Sequence, residues 1–82
     1  MSKYDNVDYA ITPMMKSVRF VTSDGESFED SLSTVHVRSV EKLQTMPAKI
    51  AATIAPGSLA HVTGMDTVWQ KGFDGTWEEV EF

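Results

Sequence analysis

Apolar and polar residues alternate in the first third of the chain in a way that is typical of β-strands. Val18 and Phe20 alternate with Arg19, so a strand would place the two apolar side chains on one face. A Ser-Asp-Gly turn follows at residues 23–25, and its glycine can adopt the positive φ that tight turns require. The pattern therefore predicts a β-hairpin over residues 14–30.

A second alternating segment occupies residues 32–40 and is rich in valine, serine and threonine. Val35 and Val37 lie on one face of the predicted strand, and His36 lies on the other. This is the pattern of a half-buried strand. A short helix over residues 40–43 is the alternative for the end of this segment.

Residues 47–54 interrupt the strand pattern. Pro47 fits the first turn of a helix, and Ile50 and Ile54 are four positions apart, which places them on one helical face. The segment after Pro47 is too short for a helix that is stable on its own. We therefore expect one or two helical turns near residues 47–54.

The last third of the chain predicts a compact antiparallel meander over residues 56–82. Its Asp74-Gly75 pair, which stands between two apolar runs, is the strongest hairpin signal in the sequence. The predicted strands are residues 58–63, 67–73 and 76–82. Together with the first hairpin, the meander predicts a mainly β fold: a single small domain over residues 14–82, preceded by a mobile N-terminal arm of residues 1–13.

Length and composition allow one domain and exclude several functions. A chain of 82 residues buries only about 60–65% of the surface that its unfolded form exposes. Without cysteine it has neither disulfides nor a thiolate zinc site. The net charge of −5 and the scattered basic residues argue against nucleic acid as the main partner. Extra stability is therefore expected from a protein partner or from self-association, and a well-packed core alone is the alternative.

The sequence also predicts where the chain is made. Its longest weakly polar run is far too short to span a bilayer, so no membrane partner is expected. The N-terminus lacks the apolar core of a signal peptide. Together with the absence of cysteine, this predicts synthesis in a cytosol.

No arrangement of residues predicts catalysis. His36 and His61 lie in separate predicted strands, and a solvent-facing strand histidine is the simpler interpretation of each. Ser58 is not within a Gly-x-Ser-x-Gly motif. Glu79 and Glu81 could share a strand face and hold a divalent cation, but a solvated strand edge is the favoured interpretation. We predict no catalytic residue, no metal ligand and no cofactor.

The largest apolar side chains of the meander are Trp69, Phe73 and Trp77. Each aromatic side chain can bury about 150–250 Å². The core of the meander is the favoured position for the group, but three short strands do not cover two tryptophans alone. Part of this area is therefore expected to meet a partner. The predicted interaction residues are these three aromatics, with an acidic rim from Glu79 and Glu81.

Four short motifs of the second half carry a resemblance to a known group of proteins. They are Met46-Pro47, Pro56-Gly-Ser-Leu-Ala60, Val68-Trp69 and Asp74-Gly-Thr-Trp-Glu-Glu-Val80. This pattern resembles small structural proteins of tailed bacteriophages, including head-fibre and tail-fibre components. The resemblance covers residues 46–80 and carries over no catalytic residue.

The resemblance implies a non-enzymatic virion protein, such as a capsid decoration, a head-fibre component or a tail adaptor. Its partners would be other virion proteins and further copies of itself, and it would be made in a bacterial cytoplasm and assembled into the particle. The net charge of −5 leaves a second function open, a small acidic inhibitor of a host nucleic-acid-binding enzyme. A small hydrolase or metal enzyme that depends on His36 and His61 is the third and weakest alternative.

Overall fold

A computed structural model describes residues 2–80 and shows one five-stranded mixed sheet with two short helices. The predicted mainly β fold with a short helix is therefore confirmed. In chain order the elements are β1 (Tyr9–Val21), β2 (Ser27–Val37), α1 (Val40–Gln44), α2 (Ala48–Ala51), β3 (Leu59–Val62), β4 (Val68–Lys71) and β5 (Trp77–Val80).

The strands lie in the sheet in the order in which they follow one another along the chain. The pairs β1–β2, β3–β4 and β4–β5 are antiparallel, as the predicted hairpin and meander require. The pair β2–β3 is parallel and joins the two antiparallel regions into one sheet. A parallel pair needs a long crossover connection, and the segment that holds α1 and α2 supplies it.

The two helices begin where the sequence contains helix-starting residues. The Ser39 side chain caps α1 by accepting a hydrogen bond from Lys42 N at 3.2 Å. The short helix considered for residues 40–43 is thus present, and the helix predicted after Pro47 is the single turn α2. Within residues 2–80, no helix is long and apolar enough to cross a membrane.

One face of the sheet packs against the helices and forms the core. The buried apolar residues are Val35, Val37, Leu43, Ile54, Ala60, Val62 and Trp77. Val35 and Val37 were predicted to lie on one face of the strand and His36 on the other. This prediction is confirmed, because Val35 and Val37 are buried and His36 is exposed. The alternation of β2 therefore decides which face of the sheet the helices cover.

The sheet begins earlier than the sequence pattern indicated. The predicted arm comprised residues 1–13. Because β1 starts at Tyr9, residues 9–13 of that arm belong to the sheet. The Tyr9 hydroxyl donates to Lys42 O at 2.7 Å and ties the strand to α1. The residues before it are held by the Arg38 side chain, which donates to Val7 O at 2.7 Å. The pattern was weak there because this part of β1 pairs at the edge of the sheet.

The first hairpin extends well beyond the rest of the sheet. Only Thr34–Val37 of β2 pair with β3, whereas the earlier part of β2 pairs with β1 alone. We call this two-stranded part, residues 17–31, the distal ribbon. It follows a bulge between Pro13 and Ser17, where Met15 has a φ of 50°. The described chain is accordingly elongated, with extents of 50 × 28 × 22 Å.

Candidate interaction surface

Three phenylalanine side chains form an exposed cluster at the distal ribbon. Phe20 and Phe28 stack with their ring centroids 5.5 Å apart, and Phe73 meets the Phe20 ring edge-on at 6.3 Å. Phe28 is 57% exposed and Phe73 is 87% exposed, whereas Phe20 between them is half-buried. We call these residues the phenylalanine cluster. Exposed apolar side chains in mutual contact are typical of sites that bind another molecule.

The cluster is assembled from two distant parts of the chain. Phe20 and Phe28 lie directly opposite each other in the β1–β2 register, so their side chains share one face of the distal ribbon. Phe73 belongs to the turn between β4 and β5. The ribbon and this turn therefore meet at the cluster, although β1 and β5 lie at opposite edges of the sheet.

The same turn geometry occurs in both hairpins. Residues 22–26 and residues 72–76 each form a five-residue turn, in which the first N–H donates to the fifth C=O at 2.8 Å. The fourth N–H donates to the first C=O, at 3.0 Å in one turn and 3.1 Å in the other. The fourth residues, Gly25 and Gly75, have φ values of 90° and 86°, which only glycine adopts without strain. The two Asp-Gly signals in the sequence thus produce matching turns.

An aspartate at the third position of each turn stabilises it. Asp24 accepts hydrogen bonds from the Thr22 hydroxyl and from Glu26 N. Asp74 accepts from Thr76 N at 3.0 Å and from the Thr76 hydroxyl at 2.8 Å. These hydrogen bonds favour the ionised carboxylates, so they lower the pKa of both side chains below the ordinary aspartate value. Each turn therefore carries an ionised aspartate that is close in sequence to a phenylalanine of the cluster.

A groove runs between the distal ribbon and the two loops that flank β3 and β4. The phenylalanine cluster lines it together with the apolar side chains of Val18, Leu32 and Pro56. Two adjoining cavities of about 220 and 410 Å³ form the groove. A concave apolar surface of this kind can accept one or a few apolar side chains of a partner.

Negative charge is concentrated in the two segments of the chain that carry the cluster. The segments that carry it, residues 18–30 and 72–76, hold five carboxylates and one guanidinium, which together account for −4 of the net charge of −5. Arg19 lies opposite Glu29, on the ribbon face that points away from Phe20 and Phe28. All six charged side chains of these segments are exposed. The five carboxylates belong to Asp24, Glu26, Glu29, Asp30 and Asp74.

The structure separates the three aromatic residues that the sequence grouped together. Trp77 is in the core and is only 6% exposed, and Trp69 is half-buried against the same core. Phe73 is the accessible member of the three. Glu79 is exposed opposite Trp69, on a different part of the sheet from Phe73, and Glu81 lies outside the described residues.

Phe20 and Phe28 belong to this surface, but they were not among the interaction residues predicted from the sequence. Their signal was present, because both flank the predicted turn of the first hairpin and therefore had to pair on one face. What the sequence did not reveal is that Phe73, from the second hairpin, completes the cluster.

The two histidines come together on the sheet face that the helices leave open. His36 and His61 are paired across the parallel strands β2 and β3, and their rings stack with centroids 5.4 Å apart. Within residues 2–80, no group of three or more histidine, aspartate or glutamate side chains is arranged to hold a metal ion. The pair therefore lacks the further ligands that protein metal sites use.

Two buried polar side chains have structural partners. Ser58 is fully buried, and its Oγ accepts a hydrogen bond from Ser33 N. Lys71 is buried, and its Nζ donates to Ala51 O and to Ile54 O, both at 2.7 Å. Burial lowers the pKa of the Lys71 ammonium, because the charged form loses its hydration.

Among the described residues, the phenylalanine cluster thus combines exposed aromatic side chains, an apolar groove and nearby carboxylates, an arrangement suited to binding another molecule. Comparison with known proteins finds no matching family model, no similar curated protein and no similar solved structure.

Proposed function

We propose that this chain is a non-enzymatic structural protein of a tailed-phage particle, and that it acts by protein–protein docking through the phenylalanine cluster. The observation that carries the docking role is the exposure of Phe28 and Phe73 around a shared contact with Phe20. The phage setting is supported by the resemblance of residues 46–80 to phage structural proteins. A head-fibre component, a decoration protein and a tail adaptor are all consistent with this role.

The shape of the chain supports docking in a specific way. The distal ribbon extends beyond the main sheet, so a partner can reach the cluster without displacing a helix or the core. Phe73 meets the Phe20 ring edge-on, so the distal ribbon and the β4–β5 turn together form the surface that a partner would meet.

The experiment compares Phe28→Ser and Phe73→Ser with Met65→Ser, which removes an exposed apolar side chain elsewhere. Each variant replaces the wild-type gene in the phage, and the purified particles are assayed for the chain. We expect the two phenylalanine variants to be lost from particles and Met65→Ser to be retained. A wild-type chain that is absent from purified particles would overturn the virion role, and two fully incorporated phenylalanine variants would overturn the docking surface.

A second candidate function is favoured by the five carboxylates of the two segments that carry the cluster. A small acidic protein can inhibit a basic nucleic-acid-binding enzyme by occupying its phosphate-binding surface. In that case the chain would be a soluble monomer, absent from particles, and would bind a basic host protein with an affinity that falls steeply with salt. The particle assay and light scattering of the purified chain separate the two functions.

A further inference from the structure

We infer that the phenylalanine cluster takes a cationic partner, an apolar polypeptide segment that carries lysine or arginine beside its anchoring side chains, and that it does not bind a second copy of itself. This inference rests on the proposed docking function and adds the chemistry of the partner. It follows from the position of the charges around the groove and not from the apolar surface alone.

One carboxylate lines the groove, and a second lies in the turn that carries Phe73. Asp30 lines the cavity beside Phe20 and Phe28, and it belongs to the distal ribbon. Asp74 directly follows Phe73 in the opposite turn, where its carboxylate accepts hydrogen bonds from Thr76. A segment that inserts an apolar side chain between the ribbon and this turn would therefore meet the Asp30 carboxylate in the groove and approach a turn that carries a second one.

Positive charge near the groove is engaged elsewhere: Lys71 lines one of the two cavities, but its Nζ donates to Ala51 O and Ile54 O. The one basic residue of the two segments, Arg19, points to the opposite face of the ribbon and lies across from Glu29. Within residues 2–80, no ion pair thus neutralises the carboxylates of Asp24, Glu26, Asp30 and Asp74. A basic partner gains from complementary potential here, and an acidic one is repelled.

The same charges disfavour a symmetric dimer through the cluster. In a two-fold interface the same patch of both copies comes together. Two copies would bring together up to eight carboxylates of the cluster segments, because Glu29 and Arg19 of each copy share the ribbon face that points away from the cluster. Self-association of this protein, if it uses another face, does not conflict with this inference.

The test uses two synthetic peptides of equal length and apolar content. In the first, lysine alternates with leucine and phenylalanine, and in the second each lysine is replaced by glutamate. Binding of each labelled peptide to the full chain is measured by fluorescence anisotropy at about 0.05 M and about 0.5 M salt. We expect the cationic peptide to bind at low salt, to weaken at high salt, and to bind at least about tenfold more tightly than the anionic one.

Matched variants assign the effect to the cluster. The triple variant Glu26→Gln, Asp30→Asn, Asp74→Asn removes three charges near the groove and keeps an oxygen acceptor at each position. The control, Asp5→Asn, Glu41→Gln, Asp66→Asn, changes the net charge equally at exposed positions outside the cluster segments. We expect the first triple variant to weaken the cationic peptide about tenfold and the control to change it less than about twofold.

The outcomes separate the partner chemistry from the docking function. If both peptides bind equally and only Phe28→Ser and Phe73→Ser weaken them, docking stands and the cationic partner is overturned. If the two triple variants weaken binding equally, the effect is one of net charge and the inference also fails. If neither peptide binds, and light scattering shows that the wild-type chain is a dimer whereas Phe73→Ser is a monomer, the occupant is a second copy and the cationic partner is overturned. If Phe28→Ser and Phe73→Ser change nothing, the docking function itself fails.

Discussion

Ser58 Oγ accepts a hydrogen bond from Ser33 N at 3.0 Å, at the point where β3 stops pairing with β2. Both serines are buried, and Ser58 is fully enclosed. The hydroxyl takes the place of the strand carbonyl that would otherwise accept this N–H. The distal ribbon thus leaves the main sheet without an unsatisfied backbone donor at its base.

Replacing Ser58 with alanine should therefore destabilise the protein. The change leaves Ser33 N–H buried without its acceptor, which costs about 1–3 kcal/mol of the free energy of unfolding. Urea denaturation measures this difference. The control is Ser23→Ala, in an exposed turn, which should change stability by less than about 0.5 kcal/mol. Equal stability of the two variants would show that water or another group replaces the Ser58 hydroxyl.

The aromatic residues of the second hairpin should differ sharply in their contributions. Trp77→Ala removes a buried core side chain and should lower the free energy of unfolding by about 3–5 kcal/mol. Phe73→Ser alters an exposed side chain and should cost less than about 1 kcal/mol, most of it from the lost edge-on contact with Phe20. Thermal or urea unfolding compares them. Comparable losses would mean that Phe73 is part of the core and is not a free docking group.

Much of the fold was predictable because the strands alternate and their turns carry glycine. Val35 and Val37 on one face of β2, and the turn at Asp74-Gly75, follow from local pattern alone. The parallel pairing of β2 with β3 was not predictable in this way. A period of two shows which face of a strand is buried, but it does not show the direction of its neighbour.

The interaction surface was harder to predict than the fold because it depends on long-range contact. Phe20 and Phe73 are far apart in sequence and meet only because the distal ribbon, beyond its bulge, lies next to the β4–β5 turn. The turns at residues 23–25 and at Asp74-Gly75 were visible in the sequence, but only as two separate turns. The contact between Phe20 and Phe73 brings the two acidic segments to one surface.

Stability at alkaline pH should report on Lys71. Burial lowers the pKa of Lys71 in the folded protein below the ordinary value of 10.5. At a pH between the folded and the unfolded pKa of Lys71, the unfolded chain binds more protons than the folded chain. The free energy of unfolding therefore increases as pH rises through that window. Below the folded pKa both states are protonated and the slope from Lys71 vanishes.

The measurement compares Lys71→Met with Lys49→Met, which removes an exposed lysine of α2. Urea denaturation is recorded from neutral pH to about pH 10 for each variant and for the wild type. We expect the wild type and Lys49→Met to retain the rise that Lys71 contributes, and Lys71→Met to lose it. Lys71→Met should also be less stable at pH 7, because Ala51 O and Ile54 O lose their donor. Parallel pH curves for all three would contradict a buried, desolvated ammonium.

Acid should weaken the two hairpin turns together. The pKa of Asp74 is lowered below 3.8 mainly by the hydrogen bond from Thr76 N and to a lesser extent by that from the Thr76 hydroxyl. The pKa of Asp24 is lowered below 3.8 mainly by the hydrogen bond from the Thr22 hydroxyl and to a lesser extent by that from Glu26 N. A carboxyl group with a lowered folded pKa stabilises the protein above its unfolded pKa. That contribution is lost as pH falls through the folded pKa. The window therefore begins near pH 3.8 and extends below it.

The double variant Asp24→Asn, Asp74→Asn isolates this effect, because asparagine keeps an oxygen acceptor in each turn but does not titrate. We expect the free energy of unfolding of the wild type to fall more steeply below pH 3.8 than that of the double variant. Asp5→Asn with Asp66→Asn, at exposed positions outside the turns, is the matched control and should follow the wild type. If the turn variant also follows the wild type, the two aspartates contribute no pH-dependent stability, and their carboxylates at the phenylalanine cluster would serve the surface charge alone.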